Sequence, residues 1–104
     1  MALAKSDKHV LTAALRLHQR GVTEFHGYPL TKELSGIGNK MAYTTLYRSL
    51  ARLEELGMLT SNWELPEGRQ QPRRIYTLTG DGITAATGIH DDPLLNPGPA
   101  LGET

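Results

Sequence analysis

The sequence predicts a mainly α domain with a small β-hairpin, an α+β arrangement of three helices followed by two strands. Three observations carry that expectation. In residues 41–59, MAYTTLYRSLARLEELGML, the leucines at 46, 50, 53 and 56 recur at helical spacing, so one stripe is apolar while Tyr43, Arg48, Arg52 and Glu55 lie opposite. Directly afterwards the period drops to two, with Leu59, Ser61, Trp63 and Leu65 alternating with Thr60, Asn62 and Glu64. The length, 104 residues at 38% hydrophobic content, supports one small core.

A first helix is expected from a Ser6 or Asp7 cap to about residue 20, where Gly21 stops it. Val10, Leu11, Ala14, Leu15 and His18 share its inner face, His18 as a half-buried helix residue. Residues 22–28 connect, with Phe25 as a core anchor. Pro29 suits the first turn of a helix, where its missing N–H is not needed. A short second helix follows over 30–35, with Leu30 and Leu34 inward and Gly36 at its end.

The joint to the third helix is short and flexible at Gly36 and Gly38. Asn39 is the expected N-cap, since its side-chain oxygen can accept from an orphan backbone N–H, and the helix runs from 39 to 56. Gly57 then takes the left-handed conformation that ends it. Two helices so joined fit a helix-turn-helix. The strand at 59–65, a polar loop at 66–72 bounded by prolines and a second strand at 73–79 make a hairpin with a protruding loop, a wing. Tyr76 and Leu78 share one face of the second strand. Trp63 falls on the apolar face of the first and is read as core, as are Met41 and Met58.

After Gly80 the pattern weakens. Gly82 and Gly88 each cost about 1 kcal/mol relative to alanine in a helix interior, and DDPLLNPGPALGET reads as disordered. The expected division is a winged helix-turn-helix domain at 1–82 and a Gly/Pro-rich acidic tail at 83–104, weakly helical or disordered.

Formal net charge is zero, but the charges are segregated. All 11 Lys and Arg lie in residues 1–80 beside seven acids, a balance of +4; the remainder carries four acids and no base, a balance of −4. The absence of cysteine excludes disulfides, thiolate nucleophiles and cysteine-ligated zinc. No apolar run approaches the roughly 20 residues a bilayer requires, so no membrane partner is expected and the cytoplasm, at the nucleoid, is the expected location. His9, His18, His26 and His90 have no metal-ligand spacing, no Gly-rich phosphate loop occurs, and no serine or threonine has an evident base. An enzyme is not expected, and neither is a cofactor.

Three strings resemble the PadR family of bacterial transcriptional regulators. FHGYPLTKEL at 25–34 is similar to that family's HGY-plus-helix segment. TTLYRSLARLEELGML at 44–59 is similar to its TLY and LxxLExxGxL helix, and GRQQPRRIYTLTGDG at 68–82 to its wing and return strand. The resemblance covers residues 6 to about 82 and implies a winged helix-turn-helix that binds double-stranded DNA. It also implies dimerisation through a C-terminal helix beyond the wing. This chain turns Gly- and Pro-rich there, so a homodimer would use an interface the sequence does not locate. Family members can respond to phenolic or drug-like ligands, but the sequence places no pocket for one.

The candidate DNA-binding residues follow. Lys40, Tyr43, Thr44 and Arg48 lie near the start of the third helix away from its leucine stripe, suited to the major groove. Tyr47 resembles the family's TLY tyrosine, which the resemblance places near the DNA backbone; the alternative is a packed helix tyrosine. On the wing, Arg69, Gln70, Arg73 and Arg74 form a basic stretch without an acid, suited to the backbone or minor groove, against the alternative of a solvated hairpin. Glu54 and Glu55 read as a helix-surface pair bonded to Arg48 or Arg52. The expected function is sequence-specific DNA binding by a repressor. The rival is a winged-helix adaptor for protein partners, with the acidic tail as its docking segment.

Overall fold

A computed structural model of the chain describes residues 3–65, 67–68 and 70–91. The elements in order are α1 (Lys5–Gln19), α2 (Gly27–Gly36), α3 (Tyr43–Glu55), β1 (Leu59–Glu64), β2 (Arg73–Leu78) and α4 (Gly80–Asp91). The strands pair antiparallel from Leu59 opposite Leu78 to Glu64 opposite Arg73. Phe25, in the α1–α2 connector, exchanges both backbone hydrogen bonds with Tyr76, at 3.0 and 2.8 Å, and so ties the connector to the free edge of β2.

α1 is the central helix, touching α2, α3, α4 and β2. That is why its apolar surface wraps wider than one stripe: Val10, Leu11, Ala13, Ala14, Leu15 and Leu17 are all buried. Its neighbours supply Leu30 and Leu34 from α2, Leu46, Leu50 and Leu53 from α3, and Leu59, Tyr76 and Leu78 from the hairpin. Met41 and Met58 pack against this core. The helices stop where the backbone can turn left-handed, at Gly21 (φ 88°) and Gly57 (φ 78°).

Two carboxylates lock the helix angles. Asp7, fully buried, accepts two bonds from the Arg52 guanidinium at 2.8 and 3.0 Å, joining α1 to the end of α3. Glu33, 9% exposed, accepts from Arg16 Nε at 2.6 Å and from Arg20, joining α2 to α1. The Arg20 guanidinium is the main cause that lowers the Glu33 carboxyl to about 2; burial opposes it and Arg16 adds to it. Burial alone would raise Asp7, but the bonds from Arg52 and then Ser49 hold it below the ordinary value. Arg52 is therefore hydrogen-bonded to Asp7 and Glu54 accepts from Ser61 Oγ at 2.7 Å; of the expected helix-surface pair, what remains is the electrostatic attraction between Glu55 and Arg52.

Several boundaries differ from the sequence reading. α2 begins three residues earlier, at Gly27, and α3 begins at Tyr43 with Ala42 as N-cap. Asn39 does not cap, because its amide is drawn to His9 of α1 at 2.6 Å. α4 runs through position 82, where the sequence places a domain boundary, and its Ala86 and Ile89 lie in the core. Gly82 is the reason the helix fits: a Cβ there would overlap the carbonyl oxygen of Met58. Thr79 completes the junction, accepting from Gly82 N at 3.0 Å and donating to Gly57 O at 2.6 Å. The rest of the expected tail, 92–104, lies outside the described residues.

Candidate nucleic-acid interface

α3 buries one side and offers the other. Leu46, Ser49, Leu50 and Leu53 are buried, whereas Tyr43, Thr44, Tyr47, Arg48 and Ala51 are exposed. The anchored side is immobilised by core packing and by the Arg52–Asp7 pair, so the exposed side is held on a rigid support. Lys40 is exposed in the joint just ahead of the helix rather than on it. Among the described residues neither Lys40 nor Arg48 is paired with a carboxylate. Ala42 has no side chain to cap the helix, which leaves first-turn N–H groups beside these cations.

Tyr43 and Tyr47 stack with ring centroids 6.1 Å apart. Tyr47 is 43% exposed, and its hydroxyl lies so close to Gly27 that a Cβ there would overlap it. The start of α2 thus shapes the rim of the α3 face, and it adds two residues that the sequence reading does not nominate. Tyr28 is 56% exposed, and Lys32, one turn later, sits 5.6 Å above its ring. The HGY string contains the signal, since a tyrosine in the first turn of a helix whose Leu30 and Leu34 face inward must face out.

The wing is arranged differently. Arg73 pairs with Glu64 directly across the ladder at 3.3 Å. Arg74 donates to Ser61 Oγ at 2.9 Å, approaches Glu54 of α3 to 3.6 Å and covers the Trp63 ring at 5.0 Å. The basic stretch at 69–74 has no acid within it, yet strand register and the end of α3 bring two acids to it. Gln70 is exposed, and Arg69 lies outside the described residues. Trp63 is 64% exposed and not core. The face it shares with Leu59 leaves the helical body as the hairpin extends, so alternation continues after there is nothing to pack against.

The sequence model of the transcriptional regulator PadR-like family matches residues 15–87, from α1 through the wing into α4. The chain belongs to this family. Over 78 residues it is 42% identical to the transcriptional regulator Rv3488 of Mycobacterium tuberculosis, covering 72% of this chain and 71% of that protein. A PadR-family transcriptional regulator from Eggerthella lenta superposes with a TM-score of 0.62 at 28% identity, covering 78% of this chain and 67% of the other. Bacillus subtilis PadR, solved in complex with operator DNA, superposes with a TM-score of 0.65 at 23% identity. That match covers 80% of this chain and 47% of the other, and establishes likeness of fold.

Within this PadR-like regulator eight of the nine residues nominated from sequence lie among the described residues, and they separate into two groups. Lys40, Tyr43, Thr44, Tyr47 and Arg48 come together around the start of α3. Arg73 and Arg74 sit on β2 among their own counter-charges, with Gln70 beyond them. Among the described residues no three His, Asp or Glu side chains converge as a metal site, and no helix is long and apolar enough to cross a membrane.

Proposed function

We propose that this regulator binds double-stranded DNA sequence-specifically and acts as a repressor, occupying a site that polymerase or an activator would otherwise use. The observation that carries the reading is the α3 face: Lys40 and Arg48, unpaired among the described residues, beside exposed Tyr43, Thr44 and Tyr47, on a helix whose opposite side is buried. A helix of this kind fits the major groove, about 12 Å wide, where Arg48 and Thr44 would meet base edges. Tyr47 and Lys40 would meet phosphates and set the register. The likeness of fold to Bacillus subtilis PadR, a protein solved in complex with operator DNA, supports the DNA-binding reading. The wing would reach the backbone or minor groove only by exchanging Glu64 and Glu54 for phosphates. A two-fold operator would require a homodimer with half-sites about one helical turn apart.

Selection from a random pool of short duplexes at low and moderate salt tests this reading. Recovery of a defined motif, with affinity falling steeply as salt rises, is the expected result. Recovery of nothing above background at either salt would overturn it. One observation favours the adaptor reading: Trp63 and Leu65 are exposed on a hairpin whose Arg73 and Arg74 already face acids. On that reading, Trp63→Ala would abolish partner capture while the protein selects no DNA motif, and the acidic tail at 83–104 would supply the docking segment.

A further inference from the structure

The side of α3 away from Tyr43 and Tyr47 borders a groove of about 430 Å3 between the first two turns of α1 and the joint leading into α3. Lys5, Ser6 and His9 line it from α1, and Asn39, Lys40 and Thr45 line it from the other side. Its chemistry is one-sided. Lys5 and Lys40 are exposed, and no carboxylate pairs with either among the described residues. Asp7, an acid close to Lys5 in the chain, is fully buried and saturated by Arg52 and the Ala4 N–H.

The uncharged groups are donors as well. Asn39 Nδ2 donates to His9 Nδ1 at 2.6 Å, which leaves the ring proton on Nε2. Ser6 Oγ lies 3.0 Å from Ser49 Oγ and brings a hydroxyl to the groove wall. Thr45 adds a further hydroxyl from α3. Two ammonium groups and several N–H and O–H donors, with no acid among the lining residues, suit an oxyanion and repel a cation.

Helix geometry relates this groove to the recognition face. At 3.6 residues per turn, Thr44 and Arg48 lie between Tyr43 and Tyr47 on one side of α3 and Thr45 and Arg52 on the other. A helix in the major groove has a phosphodiester strand along each side. Tyr47, Tyr28 and Lys32 occupy the α2 side. We propose that the groove on the α1 side is a second phosphate-binding site, in which Lys5, Lys40, Ser6 and His9 hold a backbone phosphate of the strand opposite the one met by Tyr47. The assignment rests on the DNA-binding reading and adds α1 to the interface.

The test is the salt dependence of binding to a short duplex recovered from the random pool, measured for wild type, Lys5→Ala and the Lys5→Ala, Lys40→Ala double variant. Each phosphate that the variant no longer neutralises should lower the slope of log affinity against log salt by about 0.9; because both lysines serve one phosphate, a partial fall for Lys5→Ala and a fall of about 0.9 for the double variant are expected. Lys5 is exposed, and Lys5→Gln keeps the side-chain stem should alanine disturb the helix start. An unchanged slope in folded variants overturns the site while leaving DNA binding intact. Failure of the wild type to bind any duplex overturns the DNA reading and this assignment together. Inorganic phosphate at matched ionic strength separates the anion's source: if it shifts the His9 ring resonances while Lys5→Ala leaves the duplex slope unchanged, the groove takes a free anion and the backbone assignment falls.

Discussion

The start of α3 and the wing look alike in sequence, each a short basic stretch with no acid inside it, and the fold treats them in opposite ways. Around α3, Lys40 and Arg48 are unpaired among the described residues, because Asp7 is taken by Arg52, Glu54 by Ser61 and Arg74, and Glu55 lies at the far end of the helix, beside Arg52. On the wing, antiparallel register sets Glu64 opposite Arg73, and the end of α3 brings Glu54 to Arg74. Charge counted along a chain therefore overstates the wing and describes α3 correctly. Local positive charge is available to a partner only where the fold supplies no nearer acid.

The largest way to disturb this comparison is to remove the support under α3. Leu50 is fully buried in the core that α3 shares with α1 and the hairpin, and Leu50→Ala should cost about 2–5 kcal/mol in urea unfolding, degrading every DNA contact together. Gly82→Ala should also destabilise, because its Cβ meets the Met58 backbone, which cannot move without shifting the turn that follows α3.

Acid should act next. Glu33 is lowered to about 2 in the fold, so its stabilising contribution is fully present above the unfolded carboxylate value near 4.5 and is lost as pH falls toward 2. We expect thermal stability to drop through that window, and Glu33→Gln to flatten the drop while lowering stability at neutral pH by about 1–3 kcal/mol. Because Arg20 is 54% exposed, solvent screening keeps the figure at the lower end. A stability profile in Glu33→Gln as steep as in wild type would count against this pair.

Direct comparison of the two basic regions comes last in size. Arg48→Ala should weaken binding to a selected duplex by about 1–3 kcal/mol and relax base preference, if Arg48 meets a base edge. Arg73→Ala should lower the salt slope by less than one unit, because Glu64 already offsets much of its charge. Glu64→Gln should do the reverse, freeing Arg73 and strengthening binding slightly at low salt. Equal slopes for Arg48→Ala and Arg73→Ala would erase the distinction between the regions.

Much of the architecture is legible without coordinates. The leucine spacing in α3, the change of period at Leu59 and the glycines at 21 and 57 are local signals, and the structure agrees with each. The misreadings share a cause, which is a partner distant in sequence. Asn39 has the chemistry of a cap but bonds His9, thirty positions earlier. Trp63 keeps the alternation of a buried strand after the strand has left the core. Gly82 reads as a helix penalty because propensity counts backbone freedom and not the space a missing Cβ opens to Met58. Tyr28 and Lys32 escape a search centred on the third helix because their importance comes from where the fold sets the start of α2.

The sequence by itself determined the order of helices and strands and which side of α3 is buried, because periodicity and turn chemistry act over a few residues. Which cations remain free was decided only by the tertiary structure. An ion pair depends on distances across strands and between helices, and what separates Arg73 from Arg48 is the acid that the fold places beside the first and not beside the second.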